Sequence, residues 1–233
     1  MITAKATYNL IDQYLPNTPE SIKAKLFEYY QLIEQENQKY NLTGFYNEKL
    51  FLNGIIESIK IFKEIQARIC NLSSKEILDI GSGAGFPIIP YFIYQQDFNL
   101  TIYEPLKKRV DFLNLVIKQL DLKNVVIKKI RAEDSLELEK FDFISARAVS
   151  ELKNLIEISH HLLKINGIAC FLKSNSYQIE IANAKWIMKE LDIQESVLDL
   201  NTFFEIHNVL VFYSKTKKTP KKFPRKWSQI IKK

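Results

Sequence analysis

The sequence is poor in glycine, cysteine and methionine, and it has no long apolar run. Its 233 residues include 6 Gly, 2 Cys and 2 Met. The cysteines, Cys70 and Cys170, lie far apart in apolar surroundings, which favours buried thiols in a reducing compartment over a disulfide or a metal site. The histidines have no cysteine or carboxylate at ligand spacing, so we expect no metal. Without a membrane-length run or an apolar leader, the chain is expected to be soluble and cytoplasmic.

Acidic residues are missing from the C-terminal segment. Residues 215–233 hold nine of the 33 Lys and Arg residues and none of the 27 Asp and Glu residues. The first 214 residues therefore carry a net charge of −3, although the whole chain carries +6. Basic residues that neutralise phosphates, with Phe223 and Trp227 between them to stack on bases, favour a nucleic-acid-binding arm. A solvated tail that only aids solubility is the alternative.

Half of the few glycines lie in one stretch, residues 76–86 (EILDIGSGAGF). An apolar strand pattern that runs directly into glycines predicts a buried strand and a tight turn over a ligand. A dinucleotide fingerprint has the spacing G-x-G-x-x-G. Here the spacing is G-x-G-x-G, with Asp79 inside the strand and Pro87 after the turn, and this resembles the first motif of class I S-adenosylmethionine (AdoMet) methyltransferases. A glycine turn without a ligand is the alternative.

The periodicity of the chain changes near residue 73. Residues 1–72 show helical spacing, with helices predicted over about 21–39 and 48–70. After them, apolar strand patterns alternate with amphipathic helical patterns, which is typical of a parallel sheet covered on both faces. Apolar segments at 193–200 and 205–213 predict an antiparallel hairpin at the sheet edge and bring the strand count to seven.

We therefore predict an α/β fold, a Rossmann-like seven-stranded class I methyltransferase sheet with helices on both faces. The predicted parts are an N-terminal helical extension packed on the sheet (1–72), an AdoMet-binding methyltransferase domain (73–214) and a basic C-terminal tail (215–233). Ligands of such sheets bind at the carboxyl ends of the strands.

Three residues at predicted strand ends are candidates for holding the cofactor. Glu104 ends the second strand, 23 residues after Gly81, where an acid can accept hydrogen bonds from both ribose hydroxyls. Ala132 and Glu133 follow the third strand, where an adenine ring would lie. For Glu133, a charge favoured by a helix N-terminus is the alternative.

The end of the fourth strand, residues 143–148 (FISARA), bears on the reaction. It lacks the Asn/Asp-Pro-Pro-aromatic motif that usually accompanies transfer to an exocyclic amine. Cys170 lies inside a strand and is more plausibly core than the nucleophile that transfer to pyrimidine C5 needs. Transfer to a ring nitrogen such as guanine N7 needs no base, so catalysis would rest on alignment. The missing general base permits N7 transfer without proving it.

Short blocks along the chain together resemble one family. They are residues 40–43 (YNLT), 78–87 (LDIGSGAGFP), 108–113 (KRVDFL), 145–148 (SARA), 160–161 (HH), 171–173 (FLK) and 219–226 (TPKKFPRK). In this order they resemble the ribosomal RNA small subunit methyltransferase G family, also called glucose-inhibited division protein B. The resemblance implies AdoMet-dependent methylation of N7 of a guanine in 16S ribosomal RNA. The implied partner is small-subunit ribosomal RNA or a ribosomal particle, with no membrane partner and with a monomeric enzyme.

The resemblance, together with the glycine stretch, gives a set of candidate site residues. The cofactor-binding candidates are Asp79, Gly81, Gly83, Gly85, Phe86, Glu104, Ala132, Glu133 and Arg147. The RNA-binding candidates are Lys108, Arg109, Lys221, Lys222, Arg225 and Lys226. Arg147 and Asn41 are also candidates for positioning the target base. A salt bridge is the alternative for Arg147, and simple surface charge is the alternative for Lys108 and Arg109.

The chain departs from the family pattern at one notable place. The family usually has His-x-x-Asp-Ser where residues 54–58 read GIIES, and the sequence assigns no role to this site. An AdoMet methyltransferase acting on another RNA or a protein is the runner-up function. A nucleotide-cofactor oxidoreductase and an RNA-binding protein without activity come after it. Deletion of residues 217–233 is expected to lower RNA affinity while sparing AdoMet binding.

Overall fold

A seven-stranded sheet organises the computed structural model, which describes residues 1–200 and 203–232. Residues 201–202 and 233, which belong to the predicted domain and the predicted tail, lie outside the described residues. The strands are β1 (Glu76–Ile80), β2 (Asn99–Tyr103), β3 (Val125–Lys128), β4 (Phe141–Arg147), β5 (Leu163–Lys173), β6 (Ser196–Asp199) and β7 (Val209–Ser214). Their order is β3-β2-β1-β4-β5-β7-β6.

The first five strands are parallel, and the last two form an antiparallel hairpin on β5. The buried parallel strands carry near-continuous apolar side chains because helices cover both of their faces. The predicted seven strands, their alternation with helices and the hairpin at the sheet edge are therefore confirmed.

Helices cover the two faces of the sheet with separate cores. The longer helices are α1 (Ala4–Tyr14), α2 (Glu20–Asn37), α4 (Glu57–Arg68), α5 (Ile88–Tyr94), α6 (Lys107–Gln119), α7 (Leu152–Ser159) and α8 (Tyr177–Leu191). One core joins α1, α2, α4, α5 and α6 to one face. The other joins α7 and α8 to the opposite face and includes Phe223 and Ile230 from the basic tail. A short helix, α9 (Trp227–Ile230), lies in that tail.

The helix predicted over about 48–70 contains a stretch of π-helix. It consists of α3 (Asn47–Lys49), a π-helical segment (Leu50–Ile56) and α4. The periodicity of the sequence did not indicate this segment. Stretches of π-helix are rare and often occur at functional sites, and this one brings Gly54 against the loop that follows β1.

Two further observations concern predicted absences. No helix in the described part of the chain has both the length and the apolar character needed to cross a membrane. Among residues 1–200 and 203–232, no three His, Cys, Asp or Glu side chains gather as metal ligands. Cys70 is partly buried, Cys170 is buried, and both are free thiols.

Candidate active site

The loop after β1 contains three glycines, and close contacts leave no room for a side chain at two of them, Gly81 and Gly85. Gly81, Gly83 and Gly85 all have positive φ angles, of 70°, 60° and 103°. A Cβ on Gly81 would come within 2.7 Å of Val149, and one on Gly85 would come within 2.6 Å of the Tyr29 hydroxyl. Because L side chains rarely adopt these φ values and would also collide here, the backbone of the loop depends on glycine.

Tyr29 supports this loop from the N-terminal helices. Its hydroxyl donates a hydrogen bond to the carbonyl oxygen of Ala84 at 2.5 Å, and its side chain is fully buried. Its ring also packs edge-on against Phe86, with centroids 6.1 Å apart. The N-terminal extension therefore forms one wall under the loop.

Asp79 ties the loop to the neighbouring strand. Its side chain is fully buried; Oδ1 accepts a hydrogen bond from Ser145 on β4 at 2.6 Å, and Oδ2 accepts one from Ser82 in the loop. Burial raises the pKa of Asp79 to about 7, although both serine hydrogen bonds oppose the shift. Both carboxylate oxygens are thus engaged within the protein.

Glu104 lies where β2 ends and faces the same loop. Its side chain is 1% exposed; Oε2 accepts a hydrogen bond from the Gly83 N–H at 3.1 Å, and Oε1 accepts one from the Leu106 N–H at 3.0 Å. Arg109, from the first turn of α6, places Nη1 3.8 Å from Glu104 Oε2. The guanidinium of Arg109, a candidate RNA contact, thus lies beside the loop and Glu104.

A cavity of about 180 Å³ opens between the loop and the end of β3. Its walls include Gly81, Tyr103, Pro105, Ala132, Glu133 and Trp227. The Glu133 carboxylate is 4% exposed, and its buried Oε1 makes no hydrogen bond, although Arg131 Nη1 lies 3.8 Å from it. Burial raises the pKa of Glu133. A buried acceptor without a donor is costly on its own, so it suits a ligand that brings an N–H group.

Arg147, the last residue of β4, makes a buried ion pair with Glu57. Arg147 Nη2 lies 3.2 Å from Glu57 Oε1, and the Glu57 side chain is fully buried. Asn53 and Asn208 also donate to this carboxylate, at 2.9 and 3.2 Å. Burial raises the pKa of Glu57 and lowers that of Arg147, and in each case the partner's charge opposes the shift. Arg147 Nη1 remains buried without a partner.

A second cavity, of about 450 Å³, adjoins this ion pair at the carboxyl ends of β4 and β5. Arg147, Lys173, Glu180 and Asn208 contribute to its walls. Lys173 donates to Glu180 at 2.7 Å and to the carbonyl oxygen of Ser150 at 2.8 Å, which fixes the segment after β4. The rim of this cavity is therefore polar and held by hydrogen bonds, and one of its lining residues, Val149, also lines the smaller cavity.

The departure at residues 54–58 has a structural counterpart. A Cβ on Gly54 would lie 2.6 Å from Cζ of Phe86, so the Phe86 ring occupies the space that a side chain at position 54 would need. Three residues further along, Glu57 is the acid that pairs with Arg147. The site to which the sequence assigned no role thus contacts both the loop and the end of β4.

The candidate RNA contacts fall into two groups. Lys108, Lys221, Lys222 and Lys226 are exposed, although Lys222 pairs with Glu190. The Arg225 guanidinium instead donates two hydrogen bonds to Glu157, which is 1% exposed, at 2.7 and 2.6 Å, and the Arg225 backbone N–H donates a third at 3.0 Å.

Asn41 lies on an exposed loop at the edge of the site. Its neighbour Tyr40 donates a hydrogen bond to the carbonyl oxygen of Lys108 at 3.0 Å. The Asn37 side chain accepts hydrogen bonds from the backbone of Leu42 and Thr43, which fixes the loop. Asn41 is thereby held near the first turn of α6.

Comparison with known proteins places the chain among RNA-modifying enzymes. Residues 22–202 match the model of the family described as rRNA small subunit methyltransferase G (GidB). The chain is 37% identical to the ribosomal RNA small subunit methyltransferase G of Mesoplasma florum over 91% of its length and 90% of that protein's. It is 34% identical to the protein of the same name from Ureaplasma parvum serovar 3, over 100% and 99% of the two chains.

Solved structures share the fold at low sequence identity. The tRNA (m1A58) methyltransferase TrmI from Aquifex aeolicus aligns with a TM-score of 0.57 at 17% identity, over 82% of this chain and 76% of that one. M. jannaschii TYW2, solved in complex with AdoMet, aligns with a TM-score of 0.53 at 16% identity, over 70% and 77%.

The sheet order and the glycine loop at its carboxyl edge give the chain the class I methyltransferase fold that these structures share. The relatives narrow this class to one family. The chain belongs to the rRNA small subunit methyltransferase G family. The family, the fold class and the AdoMet cofactor predicted from the sequence are confirmed.

Sequence reasoning missed three contributors to the site. Tyr29 lies within the helix predicted over about 21–39 but was not among the candidate site residues, and Glu57 lay in a segment without an assigned role. Trp227 was interpreted as a stacking residue for RNA, yet it lines the small cavity beside Glu133. Local sequence carried no signal for these contacts, because each joins segments that are far apart in the chain.

Proposed function

We propose that this enzyme transfers a methyl group from AdoMet to N7 of a guanine in 16S ribosomal RNA. The observation that carries the proposal is the presence of two neighbouring cavities, which share Val149, at the carboxyl ends of the parallel strands. One contains a buried acceptor that makes no hydrogen bond, Glu133 Oε1, and the other adjoins a buried donor that makes none, Arg147 Nη1. Family membership supports the choice of ribosomal RNA as the substrate class.

In this proposal the residues around the small cavity hold the cofactor. Glu104 would exchange its hydrogen bond from Gly83 for bonds from the ribose hydroxyls. Glu133 would accept a hydrogen bond from the adenine amino group, and Ala132 would contact the ring. Gly81, Gly85 and Phe86 would shape the loop beneath the ligand. Asp79 would act as a positioning residue, because both of its oxygens are occupied by serine hydroxyls.

Bound AdoMet supplies a methyl group made electrophilic by its sulfonium centre. The protein's task is to place the guanine ring beside this methyl group, since the N7 lone pair needs no deprotonation. Good alignment alone can lower the activation barrier by roughly 7–11 kcal/mol. Arg147 would use its free Nη1 to hold an oxygen of the target nucleotide, while Glu57 fixes the guanidinium. Asn41 would close over the nucleotide from the N-terminal side.

The exposed lysines supply the electrostatic part of RNA binding in this proposal. Lys108 would contact phosphates near the active site, and Lys221, Lys222 and Lys226 would contact them further out. Arg109 and Arg225 would act mainly through their ion pairs with Glu104 and Glu157. We propose that a monomer acts in the cytoplasm on small-subunit ribosomal RNA or on a ribosomal particle.

The decisive experiment is methyl transfer from labelled AdoMet to small subunits purified from a strain that lacks the gene. We expect a single labelled N7-methylguanosine in the 16S RNA. Subunits from the parent strain, whose site is already methylated, should accept little label and serve as the control. Bound AdoMet without transfer to subunits would contradict the ribosomal target and would favour another RNA or a protein as substrate.

A further inference from the structure

The basic tail is attached firmly to the body of the enzyme. Lys215 is fully buried and its ammonium donates to the carbonyl oxygens of His160 and Leu163 at 3.0 and 2.9 Å. Phe223 and Ile230 are 8% and 3% exposed and belong to the core that covers α7 and α8. With Arg225 bound to Glu157, the described tail residues have anchors on both sides of position 227.

These anchors bring Trp227 to the cofactor side of the sheet. Trp227 is half-buried and lines the same cavity as Gly81, Ala132 and Glu133. The guanidinium of Arg131 lies 5.7 Å from the centre of the indole ring, within the range of a cation–π contact. The ring is thus held between the core beneath it and a charged residue from the loop after β3.

We propose that Trp227 forms a wall of the adenosine subsite, so that the C-terminal tail is part of the AdoMet-binding site. This inference rests on the proposed function, because it takes the small cavity to be the adenosine subsite. Purine rings stack favourably on aromatic side chains. Trp227 adds an indole face to a cavity that is also lined by Arg131 and by the Glu133 carboxylate, whose buried Oε1 makes no hydrogen bond. An indole wall and a buried acceptor together suit a flat heterocycle with an exocyclic amine.

The placement argues against a tail that can be removed without effect on the cofactor. The sequence suggested that deletion of residues 217–233 would spare AdoMet binding. Because Trp227 lines the cavity and Ile230 anchors its helical turn, the same deletion is now expected to weaken AdoMet binding as well as RNA binding. The tail then contributes to the binding of both RNA and AdoMet, because its exposed lysines face solvent and the Trp227 indole faces the cavity.

Fluorescence tests the contact directly, because the chain has only two tryptophans. The variant Trp186→Phe retains Trp227 as its sole tryptophan, and Trp227→Phe retains Trp186, which is 44% exposed on α8. Saturating AdoMet should change the emission of Trp186→Phe and leave that of Trp227→Phe nearly constant. An unchanged Trp227 signal, with AdoMet bound by calorimetry, would overturn the inference.

Affinity provides an independent test on the full-length chain. Trp227→Ala should weaken AdoMet binding by about tenfold in calorimetry, while Trp227→Phe, which keeps an aromatic wall, should lose less. Ile231→Ala, at a 54% exposed position in the same segment, is the matched control and should bind as the unmodified enzyme does.

The outcomes separate this inference from the proposed function. If the unmodified enzyme and Trp227→Ala bind AdoMet equally, the tail is not part of the site and the proposed function stands. If the unmodified enzyme binds no AdoMet, both proposals fail. A melting temperature for Trp227→Ala close to that of Ile231→Ala would show that weaker binding does not arise from loss of the fold.

Discussion

Gly54→Ala is expected to destabilise the enzyme, although the same change usually stabilises a helix. Alanine in place of glycine within a helix contributes about 1 kcal/mol through backbone propensity. At position 54 the new Cβ would lie 2.6 Å from Cζ and 3.0–3.1 Å from both Cε atoms of Phe86. Overpacking a tight contact costs about 1–3 kcal/mol, so the net change should be a loss of about 1 kcal/mol.

The Phe86→Leu background should reverse the sign of this effect. Leucine lacks the ring atoms that approach position 54, so Gly54→Ala should then stabilise by about 1 kcal/mol. The four proteins form a double-mutant cycle with an expected coupling energy of about 1–3 kcal/mol. Urea unfolding measures the free energy of unfolding of each protein, provided that the m-value is the same for all four. Equal stabilisation in both backgrounds would refute the proposed contact between Gly54 and Phe86.

Three further predictions concern charged groups. Burial lowers the pKa of His160 to about 3 and that of His161 to about 4. The two neutral histidines therefore contribute fully to stability above about pH 6.5, and this contribution is lost as the pH falls through their pKa values in the folded protein. Replacing both with Gln should flatten the acid side of the stability profile, and an unaltered slope would contradict this. The pKa of Asp79 is raised to about 7, so its contribution to stability is present below about pH 3.8 and is lost as the pH rises to 7. The variant Asp79→Asn should therefore not show this loss of stability when urea unfolding is measured between pH 5 and 8. Arg225→Ala should lower the free energy of unfolding by about 2 kcal/mol, because it leaves the buried Glu157 without its cation. Lys221→Ala should instead leave stability unchanged and reduce the salt dependence of RNA binding. The opposite pattern would mean that Arg225 binds RNA and that Lys221 stabilises the fold.

The sequence predicted those parts of the site that depend on local pattern and strand order. Asp79, Gly83 and Glu104 occur at fixed places relative to β1 and β2, and parallel pairing brings those places together at one edge. The structure accordingly joins Gly83 and Glu104 by a hydrogen bond. Such contacts follow from alternation of strands and helices, which a single sequence displays clearly.

Other parts of the site depend on packing between distant segments. The sequence offered a salt bridge as one interpretation of Arg147, but it did not identify Glu57, 90 positions earlier, as the partner. The π-helical segment that immediately precedes Glu57 has no simple periodic signature. The tail was the least predictable region, because its composition indicates charge, whereas its position depends on a few apolar anchors such as Phe223 and Ile230.

The hydrogen bond between Asp79 and Ser145 has a consequence for the order of folding. It joins residues 66 positions apart across the central strands β1 and β4. Pairings of such large sequence separation form slowly, because the intervening chain must first lose entropy. The loop can take its final shape only after the middle of the sheet has closed. In refolding experiments we therefore expect AdoMet binding to recover after helical signal returns, which makes the cofactor a reporter of sheet closure.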